Sequence, residues 1–488
     1  MSGMRRALLP LVAVSLSLVA VGCGSSSKPS SPLATELSYF APGTPFVGAV
    51  QTSPQGAAVQ NANGLLGAFP LGKIAITALE SELLPPSLSY QSDIEPLAGN
   101  PATFGVLDIS GRLSLSRSSF LAVWVTRSAA KLDNVIKAFG LHTSGTYDGA
   151  TLYRTGGSTA LAVDGPTLLF ASSISDLDAA LNLHAHGGGI SPVDLSRAET
   201  GLPQNALVQG FGSLSKALST PSAASARKIP WVAAIHSNGV TISAGSAGIT
   251  LQFRLDTSGA SLTPAQLPIA GGTTAPELAG TLPIAVGLSD PAQSLNFVEA
   301  AGQAVDPAAY ARFTRRENAA KRKSGYDLST FASLLTGNLI IESNLRTTMG
   351  RAEVSQPETA ETELLQLPKV VRDIFPTSSG ITRLPGGFYS IKERHGKTFN
   401  LGLVGNQIVA GLATPAELKA FAAAPTTPVP GAQGSLAVRV TLLELVRLAL
   451  KHTPNPLVQS VLSTLGDLTG SASATSDGVT GHLTLGLK

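Results

Sequence analysis

The sequence predicts an α+β fold made of two tandem similar units, each a mostly antiparallel sheet with packed helices. The first observation behind this is the stretch LAVDGPTLLFASSISDLDAAL, from Leu161 to Leu181. It reads as a strand, a tight turn at Asp164-Gly165, a second strand, and a helix expected to be capped by Ser175 with Asp178 at its third position. The second is an echo, LGLVGNQIVAGLATPAELKAF from Leu401 to Phe421, with its turn at Gly405-Asn406 and a fuller box of Thr414, Pro415 and Glu417. The third is the Gly-, Pro- and Thr-rich stretch from Ser258 to Ala275, which separates two runs of landmarks in the same order and reads as a linker.

Pro45 to Val50 reads as a first strand, and Gln55 to Leu84 as helix in two pieces broken around Phe69-Pro70. Asp93 to Ile109 reads as a short helix or turn, then a strand from Thr103 to Asp108. Another strand ends at Thr126 with Trp124 in the core, and Thr126 or Ser128 caps a helix carrying Leu132, Val135, Ile136 and Phe139 at helical spacing. His184 to Gly189 reads as a loop leading through irregular chain to a strand from Ala206 to Phe211. Asn238-Gly239 is the expected turn of the closing hairpin, and Ile249, Leu251, Phe253 and Leu255 alternate with polar residues as a half-buried strand requires. In the second half Gly280 to Leu288 echoes Gly43 to Val50, and Asp477-Gly478 stands where Asn238-Gly239 stood.

Only 13% of residues are charged and 5% aromatic, so a core must come from many small aliphatic side chains. The 488-residue chain opens with Arg5 and Arg6, an apolar run from Ala7 to Val21, and Gly22-Cys23. A basic flank, an apolar segment too short to span a bilayer and small residues before a cut describe an export signal. Cys23 is the one cysteine of the chain, and Ala20-Val21-Gly22-Cys23 resembles the lipobox of bacterial lipoproteins, with Ala20 in place of the usual Leu. The alternative is a plain secretory signal with Cys23 incidental; the spacer GSSSKPSSP after it favours the lipidated form.

The expected organisation is therefore a signal peptide over 1–22, a flexible tether over 23–34, a first unit over 35–257, the linker over 258–275 and a second unit over 276–488. A mature chain would sit on the extracytoplasmic face of a membrane, held by acyl chains at about 0.8 kcal/mol per buried methylene. A spacer of about eleven residues gives the body a reach of about 18 Å from its anchor. Loss of Arg5 and Arg6 lowers the formal charge from +3 to +1, which argues against nucleic acid as a partner.

The segments YFAPGTPFVGAV, DIEPLAGNPATFGVLDI and VDGPTLLFASSISDLDAAL resemble the bacterial envelope-protein family catalogued as domain of unknown function 3352. The Trp common in that family before the Gly of the second segment is replaced here by Pro96-Leu97. The resemblance covers most of Leu37 to Asp256 and, more faintly, Thr281 to Lys488; it implies an exported or membrane-tethered protein and brings no functional residues with it.

Few constellations suggest chemistry. His184 and His186 in HAHGGG make half a metal site at best and read as solvated loop histidines, so no metal or cofactor is expected. The dense basic run from Ala311 to Lys323 places Arg312, Arg315, Arg316, Lys321, Arg322 and Lys323 against a single Glu317. On a helix it suits an anionic surface, or stands as a solvated face. No Gly-x-Ser-x-Gly elbow, Walker loop or dinucleotide glycine pattern is present. The sequence thus reads as a non-catalytic, membrane-anchored binding protein for a hydrophobic ligand or an envelope protein, with an unassigned hydrolase as the minor alternative.

Overall fold

A computed structural model describes residues 31–68, 84–108, 119–154, 158–220, 223–374, 378–393, 396–449 and 462–488. The signal segment, Cys23 and the helical piece expected after Phe69 lie outside these residues. The chain divides into two compact units, one made of residues up to Ala224 with Ile235–Asp256, the other of Ser225–Ala234 with Thr257–Lys488.

The first unit opens on α1 (Pro32–Leu37), which begins in the last three residues of the expected tether; Ser31 caps it, and Glu36 and Leu37 are buried. Its strands are β1 (Phe46–Val50), β2 (Ala102–Asp108), β3 (Ser119–Val125), β4 (His142–Tyr147), β5 (Ala150–Arg154), β6 (Ala160–Asp164), β7 (Thr167–Ala171), β8 (Val208–Gly212), β9 (Ser237–Gly245) and β10 (Gly248–Asp256). The helices between them are α2 (Ala57–Ala68), α3 (Ala129–Ala138), α4 (Ile174–His186), α5 (Pro192–Ala198) and α6 (Leu214–Ser219). All pairings are antiparallel, and the ladders run β4-β5-β6-β7-β3-β2-β1-β8-β9-β10. Trp124, Leu132, Val135 and Ile136 pack on one face, as the helical spacing requires. Leu37, Phe40, Val123, Leu169, Leu177 and Leu181 pack on the other.

The second unit takes α7 (Pro230–Ala234) from the earlier chain and continues with α8 (Pro291–Val305), α9 (Pro307–Ser324), α10 (Leu328–Ser333), α11 (Pro357–Ile374), α12 (Pro415–Ala423) and α13 (Leu442–Ala449). Its strands are β11 (Ile284–Ser289), β12 (Leu335–Ser343), β13 (Thr348–Val354), β14 (Ser378–Arg383), β15 (Tyr389–Glu393), β16 (Thr398–Val404), β17 (Gln407–Gly411), β18 (Leu436–Val440), β19 (Leu465–Thr475) and β20 (Gly478–Leu487). The ladders run β14-β15-β16-β17-β13-β12-β11-β18-β19-β20, the order of the first unit repeated strand for strand.

One rung fixes the correspondence residue by residue. In the first unit it crosses Leu169, Val123, Thr103, Ala49, Gln209 and Thr241. In the second it crosses Val409, Arg351, Ile340, Gly287, Ala437 and Ser471. The hairpins at its ends agree: Gly165 (φ 55) and Gly405 (φ 61) each supply the left-handed residue of a two-residue turn.

Several expectations are corrected. The cap of α4 is Ser173, whose hydroxyl accepts the Asp176 amide at 3.1 Å, two residues before the expected Ser175–Asp178 pair. Ser172, Ser173 and Ser119 all donate to the Asp176 carboxylate, which fixes the helix start there. Asn238-Gly239 lies inside β9, and the hairpin turns at Ser246-Ala247 instead. A Cβ on Gly239 would stand 2.2 Å from the Ala198 carbonyl oxygen, so this glycine permits close packing of α5. The apolar alternation of β10 does not give one buried face, since Ile249 is 39% exposed. The stretch expected as a free linker belongs to the second unit: Gln293 donates to the carbonyls of Pro264 and Leu267, and Leu267 is buried. Its Pro and Gly composition gives irregular backbone, and α8 side chains satisfy the carbonyls.

Candidate functional site

The site with the most chemical character is a pocket of about 410 Å³ in the second unit, lined by Arg351, Glu353, Glu277, Asn338, Gln407 and Thr426 among others. Its origin follows from the rung. Arg351 occupies the position of Val123 and Glu353 that of Val125, while Gln407 replaces Thr167. In the first unit Tyr39 lies over this region, its hydroxyl donating to Asp164 at 3.2 Å and its ring stacked 4.1 Å from that of His184. In the second unit Leu278 takes the place of Phe40, its carbonyl accepting from the Thr427 amide as that of Phe40 accepts from Ile190, so Glu277 stands where Tyr39 does and no ring is supplied. In addition α12 ends at Ala423, giving nine residues against thirteen in α4. Less chain covers the sheet, and a pocket results.

Arg351 is 5% exposed. Its Nη1 donates to the carbonyls of Phe421, Ala422 and Ala424, the last two at 2.9 Å, and its guanidinium lies 5.1 Å from the Phe421 ring centroid. The last carbonyls of a helix lack intrahelical partners and carry the negative end of its dipole, so a cation is favoured there. Burial nevertheless pulls the Arg351 pKa below its ordinary value, opposed by the carboxylates of Glu342 and Glu353. At the mouth, Glu277 and Glu353 are exposed, and Glu277 accepts from the Thr426 hydroxyl at 2.6 Å. Gln407 leaves its buried Oε1 without a hydrogen-bond partner.

None of these residues stood out in the sequence. The alternation of β13 puts Ala352 and Val354 on one face and Arg351 and Glu353 on the other, which reads as core against solvent. Both faces are in fact covered, Val354 packing with Ala360 of α11 while Met349 packs with Leu418 and Phe421 of α12. The usable signal was a charge beside Met349 in a strand whose first-unit counterpart carries Leu121 and Val123.

The basic run forms α9, and Arg312, Arg315, Arg316, Lys321, Arg322 and Lys323 are all exposed. At 100° per residue, Arg312, Arg315, Arg316, Arg322 and Lys323 share about a third of the helix circumference. Lys321 turns away from them to pair with Asp327 at 2.5 Å. That ammonium holds the Asp327 carboxyl well below the usual range, ahead of the Ser329 and Thr330 hydroxyls. Glu317 sits on the inner side, where burial and the Glu299 and Asp327 carboxylates raise its pKa.

His184 and His186, read as loop residues, belong to the last turn of α4, which Gly187 closes at φ 77. The helix continues because Leu177, Ala180 and Leu181 keep its apolar face on the sheet. His184 Nδ1 lies 2.5 Å from the Ser38 hydroxyl, and His186 Nδ1 2.9 Å from the Asn182 carbonyl. Among the described residues no group of three His, Cys, Asp or Glu side chains is placed to hold a metal, and no helix is long and apolar enough to cross a membrane.

No family model matches the chain, and no curated protein matches it. Among solved structures, crystal form III of TP0453 matches at 10% identity over 47% of this chain and 82% of that one, with a TM-score of 0.27. Crystal form I of TP0453 matches at 10% identity over 49% and 82%, again with a TM-score of 0.27.

Proposed function

We propose that this chain is an exported lipoprotein, anchored through Cys23 to the extracytoplasmic face of a membrane, with a binding rather than a catalytic role. The observation that carries the anchor is the single cysteine that follows the apolar run Ala7–Val21 and Gly22 and precedes a Ser-rich spacer. The exposed basic face of α9 supports a body that works beside an anionic surface, each cation near such a surface adding about 1 kcal/mol. The polar pocket supports a polar ligand ahead of the hydrophobic one suggested by the aliphatic composition, with an envelope protein as the further candidate partner. The test is fractionation of Cys23→Ser, which is expected to move the protein from membrane to soluble fraction; unchanged fractionation defeats the anchor. The released protein is then mixed with anionic vesicles, where replacing Arg312, Arg315, Arg316 and Arg322 by Gln is expected to weaken co-sedimentation. Equal binding would leave α9 a solvated face.

A further inference from the structure

We propose that the pocket of the second unit binds a small zwitterion, its anionic end on Arg351 and its ammonium end between Glu277 and Glu353. This deepens the binding role proposed above and stands apart from the anchor. A buried charge is ordinarily paired, yet none of the ion pairs formed among the described residues includes Arg351. Capping α12 accounts for Nη1 alone, since all three carbonyl bonds use that nitrogen and none engages Nη2 or Nε. A planar guanidinium offers five donors in a fork suited to a carboxylate or phosphate.

The mouth has the opposite sign. Glu353 lies two residues along β13 from Arg351, on the same face and about 7 Å away. Glu277 faces the same space from the segment before β11. A purely anionic ligand would meet two carboxylates on entry, and a purely cationic one would end against Arg351. A molecule carrying both charges a few ångströms apart satisfies floor and rim together. The first unit has Val123 and Val125 at these strand positions and closes the space with Tyr39, so the arrangement is peculiar to the second.

The shared chemistry is an ammonium close to an anion, as in a free amino acid or peptide, or in a phosphoethanolamine headgroup. Titration calorimetry on the Cys23→Ser chain would compare L-alanyl-L-alanine with its N-acetyl and C-terminal amide forms, and with O-phosphoethanolamine. Because release from the membrane is scored separately, failure of the anchor and failure of the pocket are distinguishable. The expected result is binding of one zwitterion at least about tenfold tighter than either capped dipeptide; the dipeptide or phosphoethanolamine arm that binds identifies the source. Glu277→Gln with Glu353→Gln should erase the preference for the free amine, and Ala424→Trp in the pocket wall should remove binding, both with unchanged circular dichroism. Absence of heat from every probe, capped forms binding as well as the parent, or binding that survives these variants would overturn the proposal. Arg351 is left intact because its loss would also uncap α12.

Discussion

The ring of Phe40 in the first unit and the carboxylate of Glu342 in the second lie at equivalent strand positions, each in its own unit. Gly105 of β2 and Glu342 of β12 correspond, each two residues beyond the shared rung. A Cβ on Gly105 would stand 2.6 Å from Phe40 Cε1, so the ring occupies the space a side chain would need. In the second unit Leu278 stands where Phe40 does and supplies no ring, and Glu342 is buried at 0% exposure. It accepts from the amides of Gly280, Thr281 and Leu282, the last two at 2.8 and 3.0 Å, and from the Thr281 hydroxyl. One backbone position thus has two solutions, apolar packing and a charged bond network, and the side chain that the preceding segment supplies, Phe40 or Leu278, goes with each.

The largest expected effect breaks the second solution. Glu342→Ala leaves three backbone amides without an acceptor, a loss of about 3 kcal/mol or more. The first solution fails by crowding instead: Gly105→Ala should cost about 1–3 kcal/mol, and a simultaneous Phe40→Leu should recover part of it. Hydrogen exchange during denaturant unfolding would show which unit loosens. If Glu342→Ala cost no more than an ordinary surface change, the network would not hold this segment.

A second contrast concerns pH. Glu199 is 1% exposed; its Oε2 accepts from Gln209 at 3.0 Å while Oε1 has no partner. Burial raises its pKa from 4.5 to about 7, against the lowering effect of the Gly210 amide. Between those values the folded state holds a proton that the unfolded state has lost. Stability therefore falls as pH rises from 4.5 towards 7, by at most about 3 kcal/mol. Glu36 acts in the same sense, since burial raises its pKa against the Val125 amide. In the second unit Ala437 takes the rung position that Gln209 has in the first, and His482 has its pKa lowered by burial, so acid below the ordinary imidazole value destabilises that unit instead. Glu199→Gln should flatten the first unit's profile and leave the second unchanged. A profile unaltered by Glu199→Gln would mean the carboxyl is solvated in the folded protein.

Much of the fold was legible because its signals are local. Gly405-Asn406, the Thr414–Glu417 box and the spacing of Leu132, Val135 and Ile136 each specify a turn, a cap or a helix face from a few neighbouring residues. The pocket was not legible because its cause is an absence, the ring that Glu277 does not supply in the place of Tyr39 and the helix turn that α12 lacks, whose effect shows only once β12, β13 and β17 lie side by side. Asn238-Gly239 misled for a related reason. A glycine needed for the approach of α5 has the same letters as one needed for a turn.

The smallest effects test the corrected register of the hairpin and helix that recur in both units. Ser173→Ala and Thr414→Ala should each cost about 1 kcal/mol, the usual loss of an N-cap oxygen. Ser173 and Thr414 both also donate to the carboxylate of their box, and the first loss is expected to be the larger because the Asp176 carboxylate holds two further serines, Ser172 and Ser119. Burial raises the Asp176 pKa and the three hydroxyls more than reverse it, so this excess should fade as acid protonates the carboxylate. Ser175 is exposed within α4 and should tolerate alanine to within about 0.5 kcal/mol. Should Ser175→Ala prove the more costly of the two serine variants in equilibrium unfolding, the helix would begin two residues later. The correspondence between Ser173 and Thr414 across the two units would then fail.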